Sequence, residues 1–322
     1  MLFSKETYSR RRRILVEIMR EAQVSGILVF LQNIEVPNQA AEESNGFDFR
    51  SDSNWLYYFG IDKPRYPANN GYASEAFIKA VISQRLVKED VEIEELDLIV
   101  TSSNLMHEAG RAKIQIGANE NDICASMDEV SRRLDWGRAF ATILTRHGEI
   151  HHNHRHYNQI EPGRLLVVDA GTESFFHYAS DLTRTYPTSG KFSTKQREIY
   201  QIVYECNELA FQMAKPGITY LEVHLATARK MLECLSALGL VHGDLDEMVA
   251  NGIAGLLIPH GLGYNMGLNA HDMEDHGENL VGYDPDQQRA KQLGLGNLRM
   301  ARRLVPGYVV TDEPGIYFTP PS

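Results

Sequence analysis

Apolar positions along the chain fall into blocks that switch between helical and extended periodicity. Ile14, Leu15, Ile18 and Met19 recur at helical spacing and predict a helix over 5–24. The short apolar run Gly26-Ile27-Leu28-Val29-Phe30-Leu31 predicts a buried strand. Residues 73–116 are rich in helix formers and acids, with a break near Lys88. A further helix is expected over 120–134, capped by Asn121 or Asp122. Strands are predicted at 138–145, 164–169 and 178–186. Two long helices follow, at 193–214 and 219–237, separated by Pro216-Gly217. Extended segments are expected again at 255–259 and 303–312. Helices and antiparallel strands in separate blocks make the fold class α+β.

The stretch 63–72 (KPRYPANNGY) holds two prolines, two asparagines and a glycine, and reads as a linker. It divides the chain into an N-terminal region, 1–72, and a larger C-terminal domain, 73–322. A length of 322 residues accommodates two domains. The net charge of −11 disfavours nucleic acid and anionic lipid as partners. The run Ser9-Arg10-Arg11-Arg12-Arg13 reads as a solvated helix face rather than a binding patch. Three cysteines, Cys124, Cys206 and Cys234, without paired spacing point to core residues in a reducing compartment. The first residues lack the apolar centre of a signal peptide, and no apolar run approaches bilayer length. A cytoplasmic location is expected.

Four polar clusters break the apolar pattern. In the first, Leu165-Leu166-Val167-Val168 runs into Asp169, and Asp181 lies 12 positions later. A reversal near Phe175 sets the two carboxylates opposite one another across an antiparallel pair. Like charges in that relation repel and require a shared proton or a cation. The alternative is that one aspartate caps a turn and the other pairs with Arg184. The second cluster is Val309-Val310-Thr311-Asp312-Glu313-Pro314-Gly315, an apolar stretch ending in acids before a turn. The third, IPHGLGYNMGLNAHDMED, carries His260 and His271. The fourth places His147, His151, His152, His154 and His156 within ten residues; it reads as a pocket rim or, lacking cysteine partners, a less favoured zinc site.

In order and spacing, IHHN, VVDAG…SDLTRT, PHGLG…HD and TDEPGIY resemble the pita-bread metallopeptidases, most closely the Xaa-Pro aminopeptidases and prolidases. The resemblance covers residues 73–322, and FRSDSNWLYYFGID resembles a block of the N-terminal domain of aminopeptidase P. It implies a pita-bread catalytic domain that cuts between an N-terminal residue and a following proline, using water activated by two divalent metal ions, manganese foremost, with cobalt or zinc as alternatives. Asp169 is then a ligand of one metal, Asp181 bridges both, and Glu313 binds the second and handles the proton of the attacking water. His152, His260 and His271 line the substrate pocket. The implied partners are peptides with proline at the second position and further copies of the chain, as a homodimer or higher oligomer.

Three departures from the pattern stand out. The fifth position of the HGLGH motif, a metal-binding histidine in the family, is Tyr264 here. A later segment carrying a second bridging glutamate has no counterpart before Ser322, so the catalytic domain is expected to be truncated. The 1–72 region is shorter than the family's N-terminal domain and is expected to be incomplete. These departures imply weak metal binding and bring in a second expectation, a metal-deficient pita-bread protein that binds peptide or protein without cleaving it. A weaker third reading is metal-free hydrolysis of a guanidino C–N bond on the same fold.

Overall fold

Alternating burial along Leu165–Ala170 organises the sheet at the centre of the C-terminal region. In the computed structural model, which describes residues 4–21 and 75–319, this segment is strand β3. Leu166, Val168 and Ala170 are buried, whereas Leu165, Val167 and Asp169 occupy the opposite face, as the two-residue repeat of a strand requires. β3 lies between β2 (Ile143–Thr145) and β5 (Leu182–Pro187), antiparallel to both. A second, two-stranded sheet pairs β1 (Gly137–Arg138) with β4 (Thr172–Glu173).

The buried face of β3 packs on α3 (Asp90–Lys113) and α4 (Glu120–Arg133). Met106, Ile123, Met127, Leu144, Leu166 and Val168 form one core. A second core forms where α5 (Thr194–Met213) meets α6 (Tyr220–Ala237), around Ile202, Met231, Leu232 and Leu235. Both long helices begin with capping boxes, Ser193 with Gln196 and Thr219 with Glu222, so local sequence fixes where each starts. The two shorter helices are α7 (Leu245–Ala250) and α8 (Glu278–Gly282). Cys124 and Cys206 are buried in the two cores.

The chain divides into two compact units, Met1–Tyr8 with Ile82–Ser322, and Ser9–Val81. Helix α1 (Lys5–Glu21) has no buried residue, so its arginine run lies on a solvated helix, and α2 spans Glu75–Leu86. The expected strand at 26–31, the aromatic block FRSDSNWLYYFGID, the 63–72 linker and the 72/73 boundary all lie outside the described residues. No helix among the described residues is long and apolar enough to cross a membrane.

Several expectations need correction. The cap of α4 is Asn119, whose side chain accepts from the Asn121 amide, so the cap lies two residues before Asn121 and three before Asp122. The expected strand 138–145 is two short strands separated by a bend. Residues 253–256 form a 3₁₀ turn instead of a strand. Gly252 enters it with φ 71, and the apolar side chains fill the α5–α6 core without any strand partner. Residues 303–312 form no continuous strand; only isolated bridges, Thr219 to Arg303 and Asn265 to Val310, are present.

Candidate active site

Strand β3 delivers Asp169 to the end of the sheet, on the face away from the α3–α4 core. Its register partners are Ile143 and Thr183, not Asp181. Asp181 precedes β5 by one residue and stands two positions from Thr183, which makes it a diagonal neighbour of Asp169 on the same face. The expected direct opposition is therefore offset by two residues, and the two carboxylates still interact.

The loop that returns the chain to Asp181 is fixed from below. Gly171 lies so close to Ser180 that a Cβ there would sit 1.8 Å from its carbonyl oxygen. Ser180 Oγ accepts from the Thr172 amide (2.9 Å) and bonds Ser103 Oγ on α3 (2.6 Å). The reversal falls at Phe175-Phe176, as expected.

The third carboxylate arrives on a different wall. The amide of Met266 donates to Val309 (2.9 Å), that of Thr311 to Tyr264 (3.0 Å) and that of Glu313 to Leu262 (2.9 Å). Segments 262–266 and 309–313 are thus zipped antiparallel, with Gly263 pressed against Thr311. Thr311 Oγ1 accepts from the Tyr264 amide (3.0 Å) and donates to Glu313 Oε1 (3.0 Å). Tyr220 of α6 holds the Thr311 carbonyl at 2.5 Å.

Electrostatics place the three acids in one low-dielectric cluster. Burial raises Asp181 well above the usual carboxylate range, and the charges of Asp169 and Glu313 raise it further. Burial likewise raises Asp169, against hydrogen bonds with Asp181 and Thr183 and the charges of His152 and His271. Glu313 is pushed up to about 8, first by burial and then by Asp169. His152 and His271 therefore face the same acids, and His260 is influenced by His151 and His152. Asp169 thus lies within electrostatic reach of Asp181, Glu313, His152 and His271, and His260 within reach of His151 and His152.

The histidines are individually held. His260 Nδ1 donates to the Gly261 carbonyl (2.8 Å), leaving Nε2 to accept from the Tyr317 hydroxyl (3.1 Å). Burial lowers the His260 pKa, consistent with that neutral tautomer. His271 Nδ1 donates to Glu274 Oε1 (2.9 Å), and Arg299 in turn engages Glu274. His152 and His271 both adopt left-handed backbone, with φ 54 and 57. That conformation is costly for a residue with a Cβ and is common at functional sites.

The histidine-rich stretch does not gather into one separate site. His147 bonds Glu149, His156 bonds the Leu144 carbonyl, and His151 packs on Tyr317 with ring centroids 4.3 Å apart. Tyr317 and Thr311 were given no role from sequence although both lie inside motifs singled out there, and His151 was named only as a member of the histidine-rich rim. Nor was His224 singled out; it lies on α6, buried near His260, and burial lowers its pKa to about 4.

A hard divalent cation suits this donor set in its chemistry. All three carboxylates are half-buried, and Asp169 Oδ1 is buried without a hydrogen-bond partner. The side chains as placed are not assembled around an ion. Among the described residues, no three His, Cys, Asp or Glu side chains are gathered closely enough to hold an ion. Tyr264, at the position of the expected histidine, directs its hydroxyl onto Asp181 Oδ2.

Comparison with known proteins bears on these features together. The profile of metallopeptidase family M24 matches residues 52–322. The human Xaa-Pro dipeptidase is 30% identical over 246 residues, covering 74% of this chain and 48% of the relative. A probable Xaa-Pro aminopeptidase of Fusarium vanettenii is 31% identical over 255 residues, covering 76% and 51%. Among solved structures, zinc-substituted Escherichia coli aminopeptidase P in complex with product superposes with a TM-score of 0.65 at 31% identity, covering 75% of this chain and 51% of that one. Pseudomonas aeruginosa aminopeptidase PepP gives 0.62 at 32% identity, covering 74% and 50%. The chain spans about half the length of the curated relatives it matches.

Proposed function

Because this chain belongs to metallopeptidase family M24, with the pita-bread fold of the Xaa-Pro aminopeptidases and prolidases, we propose that it hydrolyses the bond between an N-terminal residue and a following proline. The observation that carries the reading is the convergence of Asp169, Asp181 and Glu313, each electrostatically coupled to another, in a buried site fringed by His152, His260 and His271.

Asp169, Asp181 and Glu313 are the residues that would hold divalent metal, with manganese the ion we favour over cobalt or zinc. Bound metal would supply Lewis acidity and a water of lowered pKa. Glu313, fixed by the hydroxyl of Thr311, is the residue to which we assign the proton of the attacking water. His271, oriented through Glu274, is the residue to which we assign stabilisation of the tetrahedral intermediate, through its other ring nitrogen. His260 and Tyr317 form a paired polar wall for the peptide backbone. His152 lies within electrostatic reach of Asp169.

The test is a peptidase assay of the purified chain with manganese and a Xaa-Pro peptide. Cleavage abolished by chelator and by Glu313→Gln is the expected result. A second reading, a non-cleaving peptide binder, is favoured by one observation: the Tyr264 hydroxyl occupies an oxygen of Asp181. Retained peptide binding without turnover would replace the first reading by the second.

A further inference from the structure

We propose that Asp272 is a positioning residue for His271: its buried carboxylate, gripped by Arg85 and Lys88, fixes the left-handed backbone from which the His271 ring is presented. The placement of the ring follows from geometry, and its consequence for turnover rests on the peptidase reading. Asp272 stands between two residues of left-handed backbone, His271 (φ 57) and Met273 (φ 65). Neither is glycine. Each conformation opposes the preference of a residue with a Cβ and persists only where surrounding contacts over-determine it. Those contacts meet at Asp272. Arg85 of α2 donates to Oδ1 (2.5 Å), and the Lys88 ammonium lies 3.4 Å from Oδ2. Lys88 is anchored in turn, its amide donating to the Gly307 carbonyl (2.8 Å). Gly267 closes one side, since a Cβ there would stand 2.3 Å from Asp272 Oδ2. The Asp272 amide donates to the Asn265 carbonyl (2.8 Å), next to Tyr264 on the zipped segment.

A buried ion pair is a weak source of stability, and apolar groups of equal volume often serve as well. What this one supplies is direction. The two cations approach different oxygens, so the plane of the carboxylate is set as well as its place, and the backbone on either side has to follow. The His271 ring then lies flat against Tyr264, with centroids 3.6 Å apart and planes inclined by 20°. Its Nδ1 donates to Glu274 Oε1 (2.9 Å), and its charge reaches Asp169. The bond to Glu274 limits how the ring turns. Where the ring starts from is decided by the residue that follows it. A displacement of about 1 Å in a reacting or stabilising group can cost about 100-fold in rate.

The experiment uses the full chain and reads the His271 ring directly. Stacked on Tyr264, its ring protons lie in the shielding field of the phenol and should resonate upfield of the other histidines in proton–carbon NMR spectra; loss of the signal in His271→Gln assigns it. Lys88→Met is placed in every Asp272 variant so that no buried ammonium is left unpaired. Asp272→Ala should abolish the upfield shift, whereas Asp272→Asn, which keeps an acceptor for Arg85, should retain it. If the Ala variant does not fold, Arg85→Met, made at the 21%-exposed end of the pair, should reduce the same shift. In the peptidase assay, kcat should fall about 100-fold with Asp272→Ala, with KM little changed, and recover with Asp272→Asn. A folded Ala variant, or a folded Arg85→Met, whose His271 signal stays in place would overturn the proposal, even with a lowered melting temperature. A parent chain that cleaves nothing would reject the peptidase reading and leave the NMR shift to decide this one.

Discussion

Replacing Asp272 by Asn isolates the electrostatics of one buried carboxylate beside the pocket. Asp272 follows His271 in sequence and is 1% exposed. It accepts from Arg85 Nη2 (2.5 Å) and lies 3.4 Å from Lys88 Nζ, and the Lys88 side chain is 1% exposed. Burial already lowers the Lys88 pKa, while Asp272 and Glu92 pull it up. Asparagine keeps the shape and removes the charge, which leaves Lys88 in a dry environment without its nearest anion. Breaking a buried pair from one side costs about 3–5 kcal/mol. Arg85 remains partly solvated at 21% exposure, and Lys88 can shed its proton, so about 3 kcal/mol is expected. A lysine pKa depressed in the fold makes the loss largest at neutral pH and smaller as pH rises toward the ordinary lysine value. Urea unfolding at neutral and alkaline pH measures both quantities, and Lys88→Met in the Asp272→Asn background should recover most of the difference. A loss below about 1 kcal/mol, or no recovery with Lys88→Met, would refute the argument.

Two further outcomes follow from the same structure. His224 is buried and neutral in the fold, its pKa lowered to about 4 from the model-peptide 6.5. Its contribution is complete above about 6.5 and is lost as pH falls toward 4, at most about 3 kcal/mol in all; the unfolding free-energy difference between the parent chain and His224→Gln should shrink by that order over the interval, and a flat difference would contradict it. Gly263→Ala places a Cβ 2.1 Å from the Thr311 carbonyl oxygen, so the zipped segments must separate. A loss of about 1–3 kcal/mol or more is expected by thermal unfolding, with activity falling in step because Glu313 lies on the displaced segment; an unchanged melting temperature would show that the two segments have slack.

How much of this was legible in sequence differs from element to element. The long helices were read to within a few residues because capping residues and periodic apolar positions agree, as at Ser193 and Thr219. The acids and three histidines could be singled out because they interrupt apolar runs and recur in motif order. Register was harder. A period of two says which face Asp169 takes but not that Thr183, rather than Asp181, is its partner. The pairing of 262–266 with 309–313 joins segments some fifty residues apart, and no local pattern announces such a contact. For the same reason, the sequence exposed Tyr264 as an odd residue without revealing that its hydroxyl meets Asp181. The run 255–259 reads as a strand, and part of it is a 3₁₀ turn, because a short apolar stretch fits a buried turn as well as a strand.

The zipped pair of segments also determines where the pocket can yield. Glu313 and Tyr264 ride on a single stitched unit, anchored from behind by Tyr220, and neither can shift without dragging the other. The facing residues, 147–156, carry only turns and loop, and His151 meets the rest of the site through ring packing. On the peptidase reading we propose, adjustment to differently sized guests is expected on that histidine-bearing side and not on the stitched acidic one.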